Sequence, residues 1–69
     1  MKWDEKTEEY TLSSGKVIYA NKGLLSVHTD GTLYDGYDSS IGGAEDFSKE
    51  EKLEIATEMI KRWEAWRDE

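Results

Sequence analysis

The chain has 69 residues, 36% of them hydrophobic and 36% charged, with 16 carboxylates against 9 lysines and arginines and a formal net charge of −7. A chain this short supports one domain, residues 1–69, which buries only ~60% of the surface its unfolded state exposes, so its core must lean on large aromatic side chains. The absence of cysteine excludes disulfide staples and thiol chemistry and fits a reducing cytoplasm. No apolar run of ~18 residues and no basic-then-apolar leader points to a membrane span or to export, so a cytoplasmic protein is expected.

Residues 1–7 have weak periodicity, but Trp3 is too large to be left in water at a frayed end and is expected to pack. From Glu8 to Ala20 the chain reads as two strands around a Ser14-Gly15 turn that pairs Leu12 with Val17 and Tyr10 with Tyr19. A three-residue loop, Asn21-Lys22-Gly23, then places Leu25 beside Tyr19 and Val27 beside Val17. Asp30-Gly31 is the strongest hairpin signal, a two-residue turn pairing Thr29 with Thr32 and Val27 with Tyr34. One face of a four-stranded antiparallel meander thus collects Tyr10, Leu12, Val17, Tyr19, Leu25, Val27 and Tyr34. Residues 38–47, with Gly42, Gly43, Ser39 and Ser40, read as a loop that crosses the sheet.

From Ser48 to about Arg67 the sequence SKEEKLEIATEMIKRWEAWR reads as one long amphipathic helix. At 100° per residue Ile55, Trp66, Met59, Trp63, Ala56, Ile60 and Leu53 share an arc of about 160°, with Glu54, Thr57, Glu58, Lys61 and Glu64 opposite. Ser48 and Glu51 have the spacing of a capping box that fixes the helix start. Glu50, Glu51 and Glu54 near that start, and Lys61, Arg62 and Arg67 near the end, complement the helix dipole. The expected fold class is therefore α+β: a four-stranded antiparallel meander followed by one long C-terminal amphipathic helix packed on one sheet face, with Trp63 and Met59 against Tyr19 and Val27. The other sheet face carries Ile18, Leu24, Leu33 and Tyr37, a possible assembly face unless the N-terminal segment covers it.

Nucleophilic chemistry finds no support: His28 is the one histidine, cysteine is absent, and Ser13, Ser14, Ser39 and Ser40 are turn residues, so no catalytic residue is assigned. Asp35 does not open a calcium loop, because the ligand positions after it fall on Tyr37 and Ser39 and the glycine position on Ser40; no metal or other cofactor is assigned. Gly42-Gly43 is followed by acids and cannot serve as a phosphate loop. The charge is lopsided. Residues 1–29 and 59–69 are each neutral overall, so all the excess lies between Asp30 and Glu58, and Asp30, Asp35, Asp38, Glu45 and Asp46 are accompanied by no cation up to Asp46. That field disfavours nucleic acid and anionic membrane and favours a basic partner protein, with Glu50, Glu54 and Glu58 on successive helical turns as further contacts. Solubility is the plainer account of the same charge.

A chain of this size with a small meander, one helix ending in MIKRWEAWRDE, no cysteine and a one-sided acidic surface resembles the small proteins encoded by phages and prophages, anti-CRISPR proteins among them. The resemblance implies a non-enzymatic inhibitor whose carboxylates stand in for nucleic-acid phosphates in a basic, nucleic-acid-binding surface of a host complex. No functional residue is carried over from it. The alternative is a self-associating interaction domain that uses the apolar sheet face as a monomer or weak homodimer.

Overall fold

Glycine placement decides the strand pairing. In the computed structural model, which describes residues 1–69, β1 (Lys2–Asp4), β2 (Glu9–Thr11) and β3 (Val17–Tyr19) form one antiparallel sheet in that order. A second antiparallel sheet holds β4 (Ser26–Val27), β5 (Leu33–Tyr34) and β6 (Ser40–Gly42), and α1 (Lys49–Arg67) follows. The α+β class and the C-terminal helix stand; the single meander is replaced by two three-stranded sheets.

Both central hairpins turn through three residues rather than two. Leu12 N–H donates to Lys16 O at 2.8 Å and Gly15 N–H to Leu12 O at 2.9 Å, closing the loop Ser13–Gly15 with Gly15 at φ +92°. The same device recurs over residues 29–31, where His28 N–H donates to Thr32 O and Gly31 N–H to His28 O, both at 2.9 Å, with Gly31 at φ +88°. One extra loop residue shifts the register by one, and in a strand of period two that turns every following side chain to the opposite face. Tyr10 accordingly pairs with Ile18 instead of Tyr19, and Val27 with Leu33 instead of Tyr34. Ile18, Ala20 and Leu33 are buried with Tyr10, Leu12, Phe47 and Ile55, while Val17, Tyr19 and Val27 are about half exposed.

The sheets part at Asn21–Gly23. Lys22 and Gly23 both have positive φ, 64° and 69°, so the chain swings out of the first sheet instead of folding back along β3. Tyr10 OH donates to Gly23 O at 2.5 Å, drawing this turn onto the core. Leu25 is therefore not beside Tyr19. Trp3 does pack: it lies across β1 and β2 from Tyr10, ring centroids 4.7 Å apart. The segment read as a loop over 38–47 contains β6, whose Ser40 and Gly42 pair with Tyr34 and Leu33, leaving Ile41 as the extra residue of a bulge.

The helix begins where the capping box places it. Ser48 Oγ accepts from Glu51 N–H at 3.1 Å, and Glu51 Oε1 accepts from Ser48 N–H at 2.7 Å. Its docked side is not the centre of its apolar arc. Ile55 is the one fully buried helix residue, Met59 packs at the core margin, and the partly buried positions beside them are Glu51, Glu54, Glu58 and Arg62. On the helical wheel this docked stripe is rotated about 100° from the middle of the apolar arc. Trp63 and Trp66, expected in the core, are 67% and 68% exposed, and Leu53 and Ile60 are 69% and 56% exposed.

Candidate functional site

The docked side of α1 faces the Ser13–Gly15 turn and bonds to it. Glu54 accepts from Ser13 N–H at 3.0 Å, from Ser13 OH at 3.2 Å, and from the Met1 ammonium at 2.9 Å. Glu51 accepts from Ser14 OH at 2.6 Å while serving the cap. Farther along, Arg62 donates to Tyr10 OH, and its guanidinium lies 5.8 Å from the centre of the Tyr10 ring. Glu51 and Glu54 are thus bound to the body of the protein, and the apolar stripe that begins at Leu53 faces water. The Met1 ammonium, followed by the Ser13 amide, holds the Glu54 carboxyl below its ordinary range. The Ser14 hydroxyl and the Ser48 amide do the same for Glu51.

Asp35, an expected partner contact, turns inward and is 5% exposed. One oxygen accepts from Asn21 N–H at 3.1 Å and Asn21 Nδ2 at 2.7 Å; the other accepts from Tyr37 N–H at 2.9 Å and Ser39 N–H at 3.0 Å. Burial alone would push this carboxyl up, but the Tyr37, Ser39 and Asn21 donors outweigh it and hold the group ionised, below the ordinary carboxylate range. Asp35 therefore ties the second sheet to the Asn21–Gly23 turn and is not free to meet a partner. Glu54 is likewise committed to the hairpin turn, and Glu58 is half-buried.

Of the expected partner contacts, those that face solvent are Asp30, Asp38, Glu45, Asp46 and Glu50. Asp30 accepts from Thr32 N–H at 2.9 Å, which lowers its pKa, and Asp46 accepts from Gly43 N–H at 2.8 Å, so each also closes a local turn. Ion pairing is sparse: within 4 Å only Met1 with Glu54 and Arg67 with Asp68 are matched, leaving 14 of the 16 carboxylates without a cationic partner. Of the expected assembly face, Ile18 and Leu33 are 4% exposed and belong to the core, so that face does not exist as a patch; Leu24 and Tyr37 remain exposed, Tyr37 with the Lys22 ammonium 4.9 Å above its ring.

An apolar groove runs along the side of α1. Its first stretch, about 300 Å³, is lined by Val27, Leu33, Phe47, Ile55, Ala56 and Met59. A second apolar depression shares Met59 with the first and is lined by Leu24, Leu25, Arg62, Trp63 and Trp66. The two indoles meet edge to face with centroids 5.9 Å apart. Read as one buried face, the apolar arc of about 160° puts both indoles in the core. The spacing that separates an outer stripe, Leu53, Ala56, Ile60 and Trp63 at intervals of three, four and three, is present in the sequence. No side-chain group suited to hold a metal ion is assembled, and no helix is long and apolar enough to cross a membrane. A scan against protein-family models finds no match, and neither a search of curated proteins nor one of solved structures finds a similar chain.

Proposed function

We propose that this protein is a non-enzymatic acidic binding protein that occupies a basic, nucleic-acid-binding surface of a partner, the mode of action that its resemblance to phage anti-CRISPR proteins implies. The observation that supports this reading is the unmatched charge: 14 carboxylates have no cation within ion-pairing distance. Where neighbouring lysines neutralise a surface locally, little field extends to a partner. Over residues 30–58 nine carboxylates stand against two lysines, so a net negative field remains there and attracts Lys/Arg-lined surfaces from beyond contact range. The contact set consists of Asp30, Asp38, Glu45, Asp46 and Glu50; Asp35 and Glu54 are spent inside the fold. These residues sit on turns and on the first turn of α1, where charge can change without opening a cavity.

The test is a fourfold neutralised variant, Asp30→Asn, Asp38→Asn, Glu45→Gln and Glu50→Gln. Asparagine keeps the turn-closing acceptor at Asp30 and suits the left-handed backbone of Asp38, whose φ is 57°. Parent and variant are immobilised and challenged with host lysates at ~0.15 M and ~1 M salt, where the screening length falls from ~8 Å to ~3 Å. The expected result is a basic partner held by the parent at low salt, released at high salt, displaced by nucleic acid, and poorly held by the variant. Equal retention of that partner by the variant at both salt concentrations overturns the reading.

A further inference from the structure

We infer that an extended segment of a basic partner protein inserts as a strand into the cleft between β3 and β6, bonding through its main chain to both edges. Residues 16–19 and 39–41 line this cleft, whose volume is about 380 Å³. On the face of a sheet alternate residues point away, so runs of consecutive lining residues mean that the two strands present their edges. β3 pairs with β2 alone and β6 with β5 alone, so nothing lies between them. The cleft is closed at both ends. At one end the Lys16 ammonium donates to Asp46 O and lies 4.4 Å from the centre of the Phe47 ring. At the other, Asn21 N–H donates to Asp35 at 3.1 Å and Gly36 N–H to Asn21 O at 3.2 Å.

The alternation of hydrogen bonds along each ladder identifies the free groups. Leu12 N–H donates to Lys16 O and Ala20 N–H to Glu8 O, both at 2.8 Å. Ile18, midway between them, therefore bonds to Tyr10, and the peptide groups of Val17 and Tyr19 point away from β2. On β6, Asp35 N–H donates to Ser39 O at 3.0 Å, which turns the N–H and C=O of the next residue, Ser40, away from β5. Val17, Tyr19 and Ser40 thus each offer a donor and an acceptor to a strand between them, the means by which open sheet edges capture extended peptides. β3 runs from the Asp46 end to the Asp35 end and β6 runs the reverse way, so the inserted strand is antiparallel to one and parallel to the other, as in a mixed sheet. Charge selects the occupant. The charged groups bordering the cleft are Lys16, Asp35 and Asp46, and the ammonium is already committed to the Asp46 carbonyl. The Asp46 carboxylate is exposed and has no cation within 4 Å, so a lysine or arginine of the incoming strand meets it. This mode of capture rests on the basic partner proposed above.

The probe is a capped peptide of alternating lysine and valine, about seven residues long, titrated into the isotope-labelled full chain by NMR. A control peptide carries N-methyl groups on alternate residues, which keeps every charge and side chain and removes the donors along one edge. Binding of the plain peptide is expected to slow hydrogen exchange at the Val17, Tyr19 and Ser40 amides, and the control should bind at least ~10-fold more weakly. N-methylation of the Val17 amide in a chemically synthesised chain removes a donor that the fold does not use. It should weaken the plain peptide by about tenfold and leave the thermal melt unchanged; Val17→Pro repeats the test in recombinant protein, since proline is tolerated on an edge strand. Failure of the plain peptide to bind at ~1 mM overturns the inference, as does a chain N-methylated at Val17 that binds it as the parent does. Equal, salt-released binding of both peptides removes the strand and leaves the charge reading intact. The fourfold neutralised variant tests that reading separately, because Asp30, Asp38, Glu45 and Glu50 do not line the cleft.

Discussion

Ile55 and Trp63 lie on the same helix, eight residues apart, and truncating each to alanine separates the docked edge of α1 from its open edge. Ile55→Ala removes three carbons from a side chain that is 5% exposed; at ~0.8 kcal/mol per buried methylene the transfer loss is about 2.4 kcal/mol. The groove beside it, walled by Leu33, Phe47 and Met59, is open to solvent, so the substitution widens a groove instead of sealing a void, and the added cavity cost is small. The expected loss is ~2.5–3 kcal/mol, in the lower half of the ~2–5 kcal/mol seen for such truncations. At ~4–8 °C per kcal/mol in a domain of this size, Tm should fall by ~10–20 °C. Trp63 is the larger side chain, and burial by residue type alone ranks its loss above that of Ile55. In this fold it is two-thirds exposed, and Trp63→Ala should stay within ~0.5 kcal/mol. Thermal melts followed by far-UV circular dichroism decide the matter. A Trp63→Ala protein that melts as low as Ile55→Ala refutes the rotated docking of α1.

Three further outcomes test the supports of the fold. Gly23→Ala places a Cβ 3.1 Å from Trp3 Cζ2 at a residue with φ +69°, where left-handed backbone costs ~1–2 kcal/mol; a fall in Tm of ~5–15 °C and a changed near-UV spectrum from Trp3 are expected, and an unchanged melt would mean the turn is not drawn onto the core. Tyr10→Phe removes the hydroxyl that donates to Gly23 O and accepts from Arg62, leaving a buried carbonyl unpaired at ~1–3 kcal/mol, readable as a lower urea midpoint at constant slope. Glu51, Glu54 and Asp35 all have carboxyl pKa values lowered by folding, so their stabilisation is full above the unfolded value near ~4 and lost as pH falls through the folded values. Urea midpoints should therefore hold from neutral pH down to ~5 and drop below it, and Glu54→Gln should flatten that drop; a midpoint unchanged down to pH ~3 would show these contacts to be dispensable.

What could be read from the amino acids alone was local. The capping box at Ser48 and Glu51, the length of α1, and the antiparallel strands around Ser14-Gly15 and Asp30-Gly31 all follow from groups that lie a few residues apart, and each is in the structure. The register was not legible, because Ser-Ser-Gly and Thr-Asp-Gly serve a two-residue or a three-residue turn equally well at the level of composition. The choice between them moves Ile18 and Leu33 from the surface to the core. Nor was it legible which carboxylates face a partner. Asp35 and Glu54 look like their neighbours in sequence, yet one meets the amides of Asn21, Tyr37 and Ser39 and the other a turn 41 residues away. The docked edge of α1 was not legible either. Hydrophobicity draws a broad arc on the helix; in the structure its Ile55 edge meets the core and its Trp63 edge meets water, with Glu51 and Glu54 bonded to the Ser13–Gly15 turn. The roles of Asp35 and Glu54 were decided by tertiary structure because they depend on polar groups brought together from distant parts of the chain, and periodicity carries no record of them.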